Sequence, residues 1–342
     1  MAAIPAQVAV SETVRQLQEA GLAWYAQGKV RDTFEYPGRP DLLLQVGSDR
    51  ISIFDMVLPG LVPFKGEVLT ALTYFWLTQV LSHLPHHLAV AEQNPFLNAA
   101  HDLKAMVAML PLERCLVVKK VRIIPYEMIF RHHLGGSVWR EYEKTGMVAG
   151  QELSPGLHRW HTLVVPLFTP STKAEQGHDR NITVDEYFQA VGRLAGEFAV
   201  NMLKGAYLKA YHYARERGIL ILDTKFEVGY REFELMIADE VFTPDSSRFT
   251  TREDFVAASR EGRDPVFYDK EFVRKWGRQV QTPWGIGLQN LDPLNEEHLK
   301  FVASLPVPDD VIAATTDRYL DIFQRLTGIE LQDFQREFMG IQ

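Results

Sequence analysis

The stretch "ILILDTKFEV", residues 219–228, followed after "GYRE" by "FELMIADEV", constrains the fold most. Two apolar runs of strand composition around a short polar turn read as an antiparallel hairpin. Side chains alternate between the faces of a strand, so Asp223, Lys225 and Glu227 share one face, with Phe226 and Val228 on the other. Acid, base and acid in a row along an apolar strand is costly unless that face lines a wet site or binds ions. A solvated edge carrying i, i+2 charge pairs is the competing reading, and both stand at this point. The next stretch, "ADEVFTPDSSRF", adds Asp239 and Glu240, then Asp245, Ser246, Ser247 and Arg248. Across the hairpin Glu227 and Asp239 could hold a hard cation between carboxylates. Strict alternation instead places Asp239 with Leu235 and Ile237 facing the core, so this reading requires the strand to end or bulge before it.

The remaining elements alternate less regularly than a βαβ repeat. "LAWYAQ" and "VRDTFEY" read as strands joined at Gly28 and Lys29, and "DLLLQVGS" as a third. A helix is expected at about 67–84, and "RCLVVKKVRIIP" reads as one strand ended by Pro125. Thr183 and Glu186 form a capping box, opening one long helix. Its apolar face is read as Phe188, Val191, Ala195, Phe198 and Met202, and Gly218 follows its end. A last helix, in "PDDVIAATTDRYLDIFQRLTG", has Val311, Tyr319, Ile322, Phe323 and Leu326 as its apolar face. The order points to a two-lobed α+β chain, with antiparallel sheets, flanking helices and a hinge after "VVKKVRIIP". The expected lobes are residues 1–123 and 124–342.

Composition narrows the function. The chain has 342 residues, 46% hydrophobic and 23% charged, with a net charge of −8. That balance disfavours a broad nucleic-acid surface but leaves room for a small anionic ligand in a basic cleft. The single Cys115 excludes an intramolecular disulfide, sits mid-strand among apolar residues, and suits a reducing cytoplasm. The N-terminus lacks a secretory pattern, and "VLTALTYFWLTQVLSHL" is too short and too polar to span a bilayer comfortably, so it reads as a buried helix.

Two further polar stretches stand out. "FTPSTKAEQGHD" carries Lys173, Glu175, His178 and Asp179 without a regular period and reads as a loop. In "PYEMIFRHHLGGSVWREY", Arg131 and Ser137 flank a double glycine, where backbone can approach a ligand closely. Adjacent His132 and His133 face apart, which favours a surface or supporting role over metal ligation. His83, His86 and His87 lack ligand spacing and read as a solvated helix end. No GxSxG, P-loop or GxGxxG motif is present.

Taken in order, "GKVRD", "SDRISIFD", "KGEVLT", "VVKK", "GGSVWREYEKTG", "FTPSTKAE", "DTKFEVG" and "DEVFTPDSSRF" resemble the phosphoribosylaminoimidazole-succinocarboxamide synthase (SAICAR synthetase) family, over about residues 26–328. The resemblance implies an α+β fold with a kinase- and ATP-grasp-like ATP cleft between two lobes. It implies ATP-driven joining of L-aspartate to the carboxylate of carboxyaminoimidazole ribonucleotide (CAIR) in the cytoplasm, with Mg²⁺. Partners are then small molecules, with no nucleic acid or membrane, and an oligomer is compatible with this. Gly28, Lys29 and Arg31 match the hairpin over the ATP phosphates. Lys119 and Val121 bound the strand that offers backbone to adenine, and Lys173 a lysine near the nucleotides. Glu227 and Asp239 match the magnesium-binding acids. Arg131, Ser137 and Arg248 match the groups that hold the ribonucleotide, and Asp223 and Lys225 those near the reacting carboxylate. Lys29, Asp223 and Lys225 are thus the implied catalytic groups.

Three departures leave every matched charge in place: Val228 where phenylalanine is usual, "RHH" for Arg-Gly-Tyr, and Thr250 for tryptophan. The segment 86–113 has no matching motif and is expected to be a surface elaboration. Two rival readings are a small-molecule kinase using the same cleft, and a non-catalytic nucleotide-binding protein, whose mark would be loss of Lys29, Glu227 or Asp239. All three are present.

Overall fold

A computed structural model describes residues 12–19, 21–91, 93, 111–173 and 179–341. The expected elaboration at 86–113 therefore lies largely outside the described residues, as do Glu175 and His178. The chain divides into two compact units, each an α+β assembly. The first takes residues 1–78, 87–121 and 269–342; the second takes 79–86 and 122–268. One cut near residue 123 does not describe this division, because the chain from Asp269 onward packs with the first unit.

In the first unit, β1 (Trp24–Gln27), β2 (Arg31–Glu35) and β3 (Leu42–Gly47) form an antiparallel meander. A separate antiparallel hairpin pairs β4 (Arg50–Ile53) with β5 (Met56–Leu61). β6 (Cys115–Lys119) closes the first sheet against β3. Leu42, Leu44 and Val46 of β3 pack with Phe34, Val117 and the buried Cys115. Ile51, Ile53, Met56 and Leu58 of the hairpin instead pack with Val273, Leu288, Val302 and Val311, from the far end of the chain. The helix Lys65–Phe75 is buried along its whole length and passes into a π-helical turn at Trp76–Val80, shorter than the expected span to 84. The helix Asp309–Thr327 buries the five apolar residues expected of it, and Thr315 besides. Among the described residues no helix is long and apolar enough to cross a membrane.

The second unit is organised on one seven-stranded sheet. β7 (Arg122–Ile123) pairs with β13 (Ile219–Arg231), so the strand expected at 114–125 is really two, parted at Lys120–Val121. β8 (Tyr126–His133) lies between β13 and β11 (Thr162–Phe168), with β12 (Ser171–Thr172) pairing to its first residues. A small hairpin, β9 (Met147–Val148) with β10 (Gln151–Glu152), lies outside this sheet. β13 (Ile219–Arg231) is flanked by β8 and β15 (Ser247–Thr251) over its first half, and by β14 (Glu234–Ala238) over its second. The hairpin turns at Glu232 and Phe233, at the end of the expected "GYRE" turn, whose first three residues still belong to β13.

The long helix expected from Thr183 is two helices. The capping box forms at Thr183 and Glu186 as expected, but Val184–Val191 ends at Gly192, whose φ of 86° breaks the spiral before Arg193–Glu216 begins. The buried stripe of the second helix is Gly196, Ala199, Leu203, Ala206, Tyr207, Ala210, Tyr211 and Ala214, while Phe198 is exposed. The expected apolar face is therefore out of phase.

Candidate active site

In the second unit, β13 carries the acid–base–acid row on one face, while Phe226 and Val228 are fully buried on the other. The row meets cross-strand partners, and Asp223 and Glu227 are buried, so it is not a solvated edge. Asp223 stands opposite Arg131 of β8 and Arg248 of β15. It accepts from Arg131 Nη1 at 2.9 Å and from Arg248 Nε at 3.0 Å, with a second bond from Arg248 Nη2. Arg131 also donates to Thr169 Oγ1 at 2.9 Å. Burial opposes the ionised Asp223, yet Arg248 and then Arg131 outweigh it and hold the carboxyl below its usual range. Two guanidinium groups against one carboxylate leave this end positive.

Lys225 pairs with Glu127 of β8 at 2.6 Å. Burial pulls its pKa down, but Glu127 more than compensates and the ammonium is held charged. Glu127 went unread in the sequence, although on β8 it shares a face with Arg131, four residues away. The β13 backbone here is fixed by the turn before β15. The Lys225 amide donates to the Ser246 carbonyl at 2.9 Å, and Ser247 Oγ lies 2.7 Å from Thr224 Oγ1.

Glu227 accepts from Lys173 Nζ at 2.5 Å. Its register partner is Ala238, where β14 ends, and Asp239 follows with φ at 57°. The strand thus stops before Asp239, as the cation reading required. Burial and then the neighbouring Asp239 push the Glu227 carboxyl up, with Lys173 opposing them. Lys173 is raised in turn: burial works against its charge, and Glu227 and Asp239 outweigh it. Two carboxylates against one lysine leave this end negative.

The double glycine leads into the helix Ser137–Thr145, with Gly136 at φ 65° as its cap and Ser137 as its first residue. Its leading amides point out of the helix N-terminus, a favourable setting for an anion. A Cβ on Gly136 would lie 2.8 Å from Arg248 Nη1, so this terminus and Arg248 adjoin. His132 and His133 are buried rather than surface residues. His132 stacks on Tyr211 at 4.2 Å and His133 meets Phe255 edge-on at 4.8 Å. Burial lowers them to about 4 and about 3, so both are neutral packing groups. His87 is likewise buried, and no helix runs through 83–87.

The first unit holds the other sequence-matched residues. Gly28 and Lys29 lie in the loop between β1 and β2, with Arg31 opening β2. The Gly28 amide donates to the Arg31 carbonyl at 2.7 Å. Gly28 is not left-handed; its fitness here is close approach, since a Cβ would sit 3.1 Å from that oxygen. Arg50 ties the loop down, donating to the Lys29 and Gly28 carbonyls at 3.1 and 3.2 Å and pairing with the buried Asp32 at 2.7 Å. Lys29 Nζ pairs with Asp55 at 2.6 Å, a partner the sequence reading did not assign. Lys119 ends β6, and Val121 follows in the connection to β7.

A model of the family described as SAICAR synthetase matches residues 24–291. A phosphoribosylaminoimidazole-succinocarboxamide synthase from Thermodesulfovibrio yellowstonii is 36% identical over 314 residues, covering 90% of this chain and 96% of its own length. One from Schizosaccharomyces pombe is 37% identical over 309 residues, with 89% and 93% covered. Among solved structures, the Saccharomyces cerevisiae SAICAR synthase complexed with SAICAR superposes with a TM-score of 0.71 at 33% identity, covering 90% of this chain and 96% of that one. A type-2 SAICAR synthetase in complex with ADP shares the fold, with a TM-score of 0.60 at 17% identity over 90% of this chain and 98% of that one.

Proposed function

We propose a residue-level account of catalysis for this chain, which belongs to the SAICAR synthetase family. Its reaction is the ATP-dependent joining of L-aspartate to the carboxylate of CAIR, giving SAICAR in purine biosynthesis. A carboxylate is a poor acyl donor, because its charge and resonance resist an amine nucleophile. In our account the γ-phosphoryl of ATP passes to the CAIR carboxylate, releasing ADP and leaving an acyl phosphate. The aspartate amine then attacks the acyl carbon, phosphate departs, and the amine loses a proton. Such chemistry rests on positioning and on neutralising charge at the phosphoryl oxygens.

The observation that carries the assignment is the polarity of the β13 row, positive at Asp223 with its two arginines and negative at Glu227 with Asp239. Arg131 and Arg248, held by Asp223, and Ser137 at its helix N-terminus anchor the ribonucleotide through its phosphate and neighbouring polar atoms. Asp223 and Lys225 orient the acceptor carboxylate. Lys29, with Gly28 and Arg31, faces the ATP phosphates, exchanging its Asp55 contact for them. Lys119 and Val121 offer backbone to adenine, and Lys173 lies near the nucleotide. The first unit is in this account the ATP-binding one, and the second carries the metal and ribonucleotide groups. The cytoplasm is the compartment we assign.

Magnesium fits the acidic end. Among the described residues no group of three or more His, Cys, Asp or Glu side chains could hold a metal. Glu227 and Asp239 offer a two-carboxylate set, the kind magnesium completes with phosphates and water. Burial and then Asp239 raise the Glu227 carboxyl, so a cation bound between the two acids would favour its ionised form. When bound, the ion neutralises charge on the phosphoryl oxygens.

Multiple-turnover ADP release tests this reading. It should require both CAIR and aspartate, whereas sustained release with CAIR alone would indicate a small-molecule kinase, the reading not favoured here. Glu227→Gln should lower turnover by orders of magnitude with the fold intact, and an unchanged rate at saturating Mg²⁺ would remove Glu227 from the metal site.

A further inference from the structure

Trp160 occupies an unusual place for a large side chain. Its φ is 63°, a region L residues rarely adopt, and it is nonetheless buried. Backbone hydrogen bonds hold the loop in this shape. The Trp160 amide donates to the Leu134 carbonyl at 2.8 Å, the Leu134 amide to the His161 carbonyl at 3.1 Å, and the His161 amide to the His158 carbonyl at 2.9 Å. The loop is thereby laid across the end of β8, just before the double glycine.

The indole fills a space that only glycine leaves open. A Cβ on Gly135 would fall 1.8 Å from Cζ3 of the ring. From that seat the ring is 5.3 Å from the Arg248 guanidinium carbon, within cation–π range. Its Nε1 donates to Asp264 Oδ1 at 2.8 Å, Asp264 is also paired with Arg159 at 2.7 Å, and Phe267 packs against the ring at 5.3 Å. Arg248 therefore lies in a slot, with Gly136 along one side, Trp160 on another and Asp223 at its end. Asp223 grips the guanidinium along its Nε–Nη2 edge. The indole, itself held by Asp264, borders the group and limits its tilt about that edge.

We propose that Trp160 is a positioning residue for the ribonucleotide: it holds Arg248 at the angle from which the guanidinium meets the ligand anion, and Gly135 is glycine to admit it. This rests on the reading of Arg248 as a ribonucleotide anchor. Losing the indole should then weaken ribonucleotide binding and leave ATP binding and the chemical step largely as they were.

The test is steady-state kinetics with CAIR, ATP and aspartate varied separately, on full-length protein of confirmed thermal stability. Trp160→Ala should raise the KM for CAIR by roughly 10-fold, equivalent to about 1.4 kcal/mol. The KM for ATP and kcat should stay within about 2-fold, and Trp160→Phe, which keeps a ring over Arg248, should recover most of the loss. Gly135→Ala should match Trp160→Ala, and combining the two should add little, because the added methyl acts only by displacing the indole. Arg248→Gln separates the two levels of the argument. If it leaves the KM for CAIR unchanged, the anchoring role of Arg248 fails. If it raises that KM while Trp160→Ala does not, Arg248 is an anchor and the positioning role of Trp160 is overturned. A fall in kcat for Trp160→Ala with no change in the KM for CAIR would also overturn it.

Discussion

Asp223 is the residue on which the second unit's charges turn. It is paired to both Arg131 and Arg248, and all three side chains are largely withdrawn from water. Replacing it with asparagine would leave two guanidinium groups facing a neutral amide, and removing one side of a buried pair costs about 3–5 kcal/mol. Denaturant unfolding of Asp223→Asn should show a loss of that order; less than about 1 kcal/mol would mean that the arginines are held from elsewhere. The pH sign follows from its depressed carboxyl. Its stabilisation is present above the unfolded-state value, near 3.8, and is lost as pH falls through the lower folded value, so Asp223→Asn should flatten the acid limb of the stability curve. Glu227 behaves oppositely. Its raised carboxyl favours protonation in the folded state, so the ionised, metal-competent form is lost at a pH above the usual 4.5. The acid limb of the pH–rate profile should then move to lower pH as Mg²⁺ is raised, and a limb indifferent to Mg²⁺ would argue against a shared site.

At the scale of elements, β8 decides how much of the site could be read in the chain. Its alternation puts Glu127, Ile129 and Arg131 on one face, yet Glu127 is inconspicuous in the chain, because it sits beside a tyrosine and an apolar run rather than in a charged cluster. The histidines ending β8 are hard to place from the chain for a related reason. Adjacent strand residues do face apart, but here both faces are covered, His132 by Tyr207 and Tyr211 and His133 by Phe255. The helix Arg193–Glu216 was misphased because its buried stripe is built largely of Gly and Ala, which permit close packing while contributing little to an apolar pattern. By contrast, β13 and the capping box were legible because strand alternation and capping are local properties of the chain. The histidines yield a prediction. Burial lowers both, with His212 and Arg215 adding to the effect on His132, and His132 and Arg248 on His133, where Asp223 opposes it. The unfolded chain takes up these protons near pH 6.5 and the folded chain only near 4 and 3. Stability should therefore fall as pH drops from 6.5 towards 4, by about 1.4 kcal/mol per pH unit for each histidine once the unfolded form is protonated. His132→Gln should remove about half of that slope, and an unchanged slope would mean that His132 is protonated in the native state.

At the scale of the whole molecule, the first unit is built from both ends of the chain, and no shift in composition at Asp269 announces the return. Sequence order placed a boundary near residue 123, because contacts between distant segments leave no mark on either segment alone. The consequence is physical. The helix Lys65–Phe75 is covered in part by the helix Leu331–Glu337, where buried Phe334 meets Tyr74, Phe75 and Phe323 at 6.3, 6.1 and 5.5 Å between ring centroids. Gln335 donates to Glu67 at 3.0 Å, offsetting part of the burial that pushes that carboxyl up. The β4–β5 hairpin, which leads to Asp55 and hence to Lys29, is backed by Val273, Leu288 and Val311. Phe334→Ala would open a cavity against four aromatic rings, Phe338 being stacked on it at 4.9 Å, and such truncations cost about 3–5 kcal/mol. Because Phe334 packs within the first unit, hydrogen exchange on the full-length variant should show protection lost first in Lys65–Phe75, with the central amides of β13 still protected. Equal loss in both would mean that the two units open in a single step, and unchanged protection in Lys65–Phe75 would mean that the C-terminal helix does not stabilise it.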